Sequence, residues 1–179
     1  MPSPSSTYKK VVVHKLNQEL IKGFVDPKAY LGLDRVEVLD REGRLVNVPL
    51  EEVKGIFFVR EFEGDPQRSE RKVFHSRPRL SGLWIRMTFR DNEILEGLIS
   101  TNLLDFDPLG FLVTPPDLYS NTLRMFVPRN ALAGIEVLGV VSDGAARRAN
   151  QRGSEARRRA ADTSRQIGLF SPSSQPVPK

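Results

Sequence analysis

The sequence has no cysteine and only two histidines. The first absence excludes a disulfide framework and any cysteine-bound zinc. With so little histidine, a metal site would need several carboxylates around His14 or His75, and no His-Glu-x-x-His spacing occurs. Neither a metal nor any other cofactor is expected. A glycine-rich phosphate loop and a Gly-x-Ser-x-Gly elbow are also missing, so no phosphate cradle or hydrolase nucleophile is laid out. No apolar run approaches the ~20 residues of a membrane-spanning helix, and Met1 to Ser6 lack a basic-then-apolar signal pattern. The expectation is a non-catalytic, cytoplasmic protein with no membrane partner.

Charge is present but unevenly placed. From Ser142 onward eight cations face three anions, which is the whole of the formal excess of +5. The remainder is neutral, so the basic character belongs to the tail and not to a face of the body. Arg147, Arg148, Arg152, Arg157, Arg158, Arg159 and Arg165 are the candidates for contact with nucleic acid or another anion. The alternative is a solvated, self-repelling tail.

An internal repeat organises the rest. Val11-Val12-Val13 through Glu19, Gly23, Phe24 and Val25 is matched by Ile85-Arg86-Met87 through Glu93, Gly97, Leu98 and Ile99. Further on, Val48-Pro49 through Gly55-Ile56 is matched by Val127-Pro128 through Gly134-Ile135. The offset grows by five residues in the central hairpin, where 115–121 replaces the shorter 41–44; loop tips tolerate such changes.

Each copy reads as strands. Ile85, Met87 and Phe89 alternate with Arg86, Thr88 and Arg90, a period of two with one buried face. Asn17-Gln18 and Asp91-Asn92 are tight-turn pairs. Gly23 and Gly97 predict a bulge or bend in the second strand. A hairpin follows (35–40 with 44–48, and 110–114 with 122–127), ended by Val-Pro because proline donates no ladder hydrogen bond. One turn, 50–54 or 129–133, leads into a last strand, 55–59 or 134–140. His14 reads as an edge or surface strand residue.

Four strands, one turn and a fifth strand, with the glycine block and the Val-Pro-to-Gly-Ile block, resemble the SH3-like and Sm-like barrels, including the bacterial RNA chaperone of the Sm-like superfamily. The arrangement also resembles an uncharacterised conserved bacterial family. The resemblance implies an all-β chain of two tandem five-stranded SH3-like/Sm-like barrels followed by a disordered basic tail. The units are a flexible N-terminus at 1–7, a first barrel at 8–62, a basic linker at 63–82, a second barrel at 83–141 and the tail at 142–179. The Asp-x-apolar-Asn loop with which Sm proteins contact RNA is not reproduced at Asp26-Pro27-Lys28-Ala29 or at Ser100 to Asp105. Nucleic-acid binding is thus an expectation of the fold analogy and not of a matched site.

The linker, with Arg68, Arg71, Lys72, His75, Arg77 and Arg79, reads as a solvated connector or an anion-binding strap, part of which packs on a barrel through Val73, Phe74 and Trp84. Arg86, Arg90, Asp105, Asp107 and Gly110 faintly resemble the signature of PilZ domains, which bind a cyclic dinucleotide, but Asp107 stands where that signature has serine.

In the tail, an apolar island interrupts a polar, arginine-rich stretch. Gln166-Ile167-Gly168-Leu169-Phe170 resembles the bacterial sliding-clamp-binding pentapeptide, glutamine-apolar-small-leucine-phenylalanine. The resemblance implies that Gln166 hydrogen-bonds at a pocket edge while Leu169 and Phe170, with Ile167, fill an apolar pocket on the clamp. The alternatives are that Ile167 to Phe170 folds back onto a barrel or meets another partner. Oligomeric state is left open.

Overall fold

The computed structural model describes residues 7–64, 68–117 and 119–142. Ten strands account for about half of them: β1 Lys9–Lys15, β2 Leu20–Val25, β3 Arg35–Asp40, β4 Leu45–Pro49, β5 Val53–Val59, β6 Gly82–Phe89, β7 Ile94–Ile99, β8 Gly110–Val113, β9 Thr122–Pro128 and β10 Leu132–Val141. One-turn 3-10 helices, Leu50–Glu52 and Arg129–Ala131, precede β5 and β10, and a third spans Leu103–Asp105. The described residues are all-β, as their alternating apolar pattern predicts.

The two copies fold alike down to single hydrogen bonds. In the first turn the Lys15 N–H donates to the Glu19 carbonyl at 2.9 Å; in the second, Phe89 N–H donates to Glu93 at 2.8 Å. Gln18 and Asn92 both adopt the left-handed region, with φ of 71° and 64°. That conformation suits asparagine better than glutamine, and both turns gain support from an Asx bond. Asn17 Oδ1 accepts from the Glu19 N–H at 3.0 Å, and Asp91 Oδ1 from the Glu93 N–H at 3.1 Å.

Within each copy the strand order is fourth, third, second, first, fifth. The ladders, however, do not keep the copies apart. One sheet runs β4-β3-β2-β1-β5-β9-β8 and the other β10-β6-β7. The seven-to-three division has two causes. β5 of the first copy pairs antiparallel with β9 of the second. The link between β7 and β8, meanwhile, narrows to the Leu98–Thr114 bridge, with N–H to carbonyl bonds of 2.9 and 2.8 Å in the two directions. The two copies thus share a ladder, and their ten strands divide between a sheet of seven and a sheet of three.

The core is correspondingly interlocked. Val11, Val13, Val36, Val38, Val53 and Ile56 form one cluster, which also takes in Phe126 from β9. Ile85, Met87, Phe89, Val113, Met125 and Val127 form the other, against which Phe57 of β5 packs. The second copy thus lends the buried Phe126 to the first copy's interior, while the first sets the partly buried Phe57 against the second copy's cluster. Full burial of a side chain such as Phe126 contributes about 1.5–3 kcal/mol.

Candidate functional site

The seam between the copies is where charge and grooves collect. β5 faces β9 with Ile56 opposite Phe126, Phe57 opposite Met125 and Phe58 opposite Arg124. Beside it lies a cleft of ≈ 270 Å³ whose walls include His14, Lys54, Phe57, Phe89, Glu93 and Met125. His14 is half-buried, with its ring 4.2 Å from that of Phe57. β1 is paired on both sides, by β2 and β5. Of the edge or surface position expected for His14, the edge is therefore excluded: it is a half-buried residue of an interior strand.

The segment between the copies crosses this cleft as a strap. Glu70 accepts hydrogen bonds from Ser120 Oγ at 2.5 Å and from the Asn121 N–H at 3.1 Å. Arg68 Nη2 donates to Asp117 at 2.8 Å, Lys72 Nζ pairs with Glu93 at 2.9 Å, and the Lys72 carbonyl accepts from the Glu96 N–H at 2.7 Å. From Arg68 onward the described linker is accordingly fastened to the second copy, while Glu63 pairs with Lys22 of the first at 3.4 Å, where the sequence allowed a solvated connector.

Lys54 bridges the copies by pairing with both Asp91 and Glu93. Burial opposes its charge, but the two carboxylates outweigh that and raise its pKa. The same ammonium, together with Lys72, holds Glu93 below the usual carboxylate range despite burial. His14 is shifted the other way. Burial first, and then the Lys54 ammonium, lower its pKa, against a smaller upward pull from Glu93 and Glu70. The imidazole is neutral at pH 7, while Lys54 and Lys72 are paired with Glu93.

On the far side of β7 the strap is anchored by a buried carboxylate. Glu96 is 3% exposed. It accepts from Arg86 Nη2 at 2.9 Å and Nε at 3.2 Å, from Trp84 Nε1 at 3.1 Å and from the Phe74 N–H at 3.1 Å. Phe74 meets Trp84 edge-on at 5.8 Å, so this part of the linker does pack on the second copy as expected. Sequence reasoning missed Glu96. The available signal was a carboxylate inside the otherwise apolar Ile94–Ile99 run, one strand away from Arg86.

This anchor bears on the residues grouped by the dinucleotide-like signature. Arg86 is taken up by Glu96, with Glu136 at 3.7 Å on its other side. Arg90 lies exposed at the β6–β7 turn. Asp105 accepts from Ser100 Oγ at 2.6 Å, and Asp107 from the Leu109 N–H at 2.8 Å, as turn residues do. These groups form no open arginine clamp.

A second groove, of ≈ 540 Å³, opens on the β5–β9 face between Lys9, Lys10, Tyr30, Phe58, Leu123 and Arg124. Lys10 pairs with Glu61 at 2.7 Å, while Lys9 and Arg124 are exposed. Tyr30 meets Phe58 edge-on at 5.5 Å, and burial, with the nearby Asp107 charge, pushes its hydroxyl up to about 12.

Among the described residues no group of three or more His, Asp or Glu is placed to hold a metal ion, and no helix is long and apolar enough to cross a membrane. The tail residues singled out by sequence lie outside the described residues: Gln166, Ile167, Leu169 and Phe170, and Arg147, Arg148, Arg152, Arg157, Arg158, Arg159 and Arg165.

A family model described as a family of unknown function, DUF6982, matches residues 7–139. No curated protein and no solved structure matches the chain. The match spans both copies and stops before the tail.

Proposed function

The chain belongs to DUF6982, a family of unknown function, and, arguing from its own residues, we propose that it is a non-catalytic adaptor that docks on the bacterial DNA sliding clamp through Gln166-Ile167-Gly168-Leu169-Phe170. The observation behind this reading is the position-by-position match of that pentapeptide to the clamp-binding pattern. An apolar triplet set in a polar, arginine-rich segment is costly to expose unless a pocket receives it. A peptide of this length that orders on binding reaches roughly micromolar affinity, about −8 kcal/mol. The neighbouring arginines add attraction to DNA held by the clamp. In this reading the body is the cargo-bearing part and the tail the tether. A pull-down of clamp by the full chain, with and without residues 166–170, tests it: capture that persists after the deletion ends the reading.

A second reading has its own support. The strand order within each copy, fourth, third, second, first, fifth, resembles that of Sm-like barrels and supports the analogy. The groove at Lys9, Arg124, Tyr30 and Phe58 combines cations with aromatic rings, the pairing that suits single-stranded nucleic acid. In that case a salt-dependent shift of labelled RNA or DNA survives removal of residues 142–179 and is weakened by Arg124→Ala.

A further inference from the structure

The cleft beneath the strap holds a polar side chain that none of the described residues engages. Its ≈ 270 Å³ are walled by Phe57 from the first copy and by Phe89, Leu95 and Met125 from the second. The hydroxyls of Ser120 and Thr122, which also reach it, are taken by Glu70 at 2.5 and 3.5 Å. The half-buried imidazole of His14 touches the Phe57 ring, yet among the described residues it has no hydrogen-bond partner. A polar group sheltered in this way is destabilising unless water or a ligand meets it.

The second copy shows that the ladder itself does not require this pair. His14 stands opposite Gly55, and its counterpart Thr88 stands opposite Gly134. Phe57 stands opposite Val12, and its counterpart Glu136 opposite Arg86. The same register is thus built with threonine and glutamate at these points. Charge narrows what the cleft can take. Three cations, Lys54, Arg71 and Lys72, line it together with three carboxylates, Glu70, Glu93 and Asp117. Glu93 already holds both lysines, and Asp117 is held by Arg68. The walls therefore offer no net charge to select an ion.

We propose that this cleft binds a small neutral aromatic molecule of one or two rings, which packs against Phe57 and donates an N–H or O–H to His14. Burial and the Lys54 ammonium keep the imidazole neutral at pH 7. With neither ring nitrogen bonded among the described residues, either tautomer is open to it, so the nitrogen nearer the ligand accepts. Size agrees. An apolar cavity of about 150 Å³ takes benzene, and drug-sized ligands fill about 300–1,000 Å³; ≈ 270 Å³ suits a molecule between them. His14 and Phe57 also line the neighbouring groove beside Val12 and Phe62, which gives the ligand a way in past Glu70. None of this depends on the tail motif.

Titration of the full, isotope-labelled chain at pH 7 with three probes, followed by NMR, tests the site. Indole is neutral and carries one N–H; 1-methylindole lacks that donor; indole-3-acetate adds a negative charge. Indole should give saturable shifts centred on His14, Phe57 and Met125. 1-Methylindole should bind about two- to tenfold more weakly, the worth of one hydrogen bond, and indole-3-acetate more weakly than indole. His14→Phe, which keeps a ring beside Phe57 and removes the acceptor, should bind indole and 1-methylindole alike. If that variant misfolds, the comparison of the two probes on the wild-type chain still decides. No saturable shift with indole, shifts centred away from the cleft, 1-methylindole bound as tightly as indole, or a preference for indole-3-acetate overturns the proposal.

Discussion

Gly23 and Gly97 occupy the same point of the two copies and press on the same neighbour. A Cβ on Gly23 would lie 2.5 Å from Val38 Cγ1, and one on Gly97 would lie 2.2 Å from Val113 Cγ1. The next carbonyl along is equally close in kind, Leu39 at 2.4 Å and Thr114 at 3.0 Å. Here glycine lets the second strand cross tightly over the third, which is how a short sheet curls.

Gly23→Ala and Gly97→Ala should each destabilise the body by about 1–3 kcal/mol, the usual cost of forcing a group into filled space. Gly139, whose Cβ position meets nothing within 4 Å, is the control, and Gly139→Ala should stay within about 0.5 kcal/mol. Denaturant midpoints of the three variants check this.

Glu96 predicts an acid-sensitive anchor. Burial works to raise its pKa, but hydrogen bonds from Phe74, Arg86 and Trp84 outweigh it and hold the group below its ordinary 4.5. The folded state thus prefers the carboxylate. Its stabilisation is complete above pH 4.5 and is lost as pH falls through the depressed folded-state value. Glu96→Gln should cost about 2 kcal/mol at pH 7, a figure reduced because Arg86 is half-exposed. The variant should also lose less stability than the wild type between pH 5 and pH 3, about the range that such carboxylate shifts cover. Equal acid losses in the two proteins would remove the anchor from the account.

Much of this fold is legible in the chain. The strand pair 35–40 and 44–48 is observed as Arg35–Asp40 and Leu45–Pro49, and the pair 110–114 and 122–127 as Gly110–Val113 and Thr122–Pro128. These features are local: a period of two, an Asx turn, a proline that cannot donate. The seam is not local. Nothing in the residues of β5 says that its outer edge meets β9, since both edges look like any half-apolar strand until the copies are placed side by side. The strap is hidden for a related reason. Glu70, Lys72 and Lys54 carry no local sign of their partners, and only tertiary structure brings them to Ser120, Glu93 and Asp91.

His14 gives a second, milder pH dependence. Burial and the Lys54 ammonium lower its pKa from 6.5. The unfolded chain therefore takes up a proton at a pH where the folded chain does not. Stability is complete above pH 6.5 and declines as pH falls below it. His14→Gln should flatten the change in unfolding midpoint between pH 7.5 and pH 5.5, a span chosen to bracket the ordinary histidine range. A midpoint that shifts equally in both proteins over that span would assign the dependence elsewhere.

The functional claim rests on the tail, and calorimetric titration of bacterial sliding clamp with the full chain tests it most directly. Saturable binding at roughly micromolar concentration is predicted, abolished by Leu169→Ala and by Phe170→Ala while both variants keep the wild-type melting transition. Binding that survives both substitutions, or no binding by the wild-type chain, would contradict it.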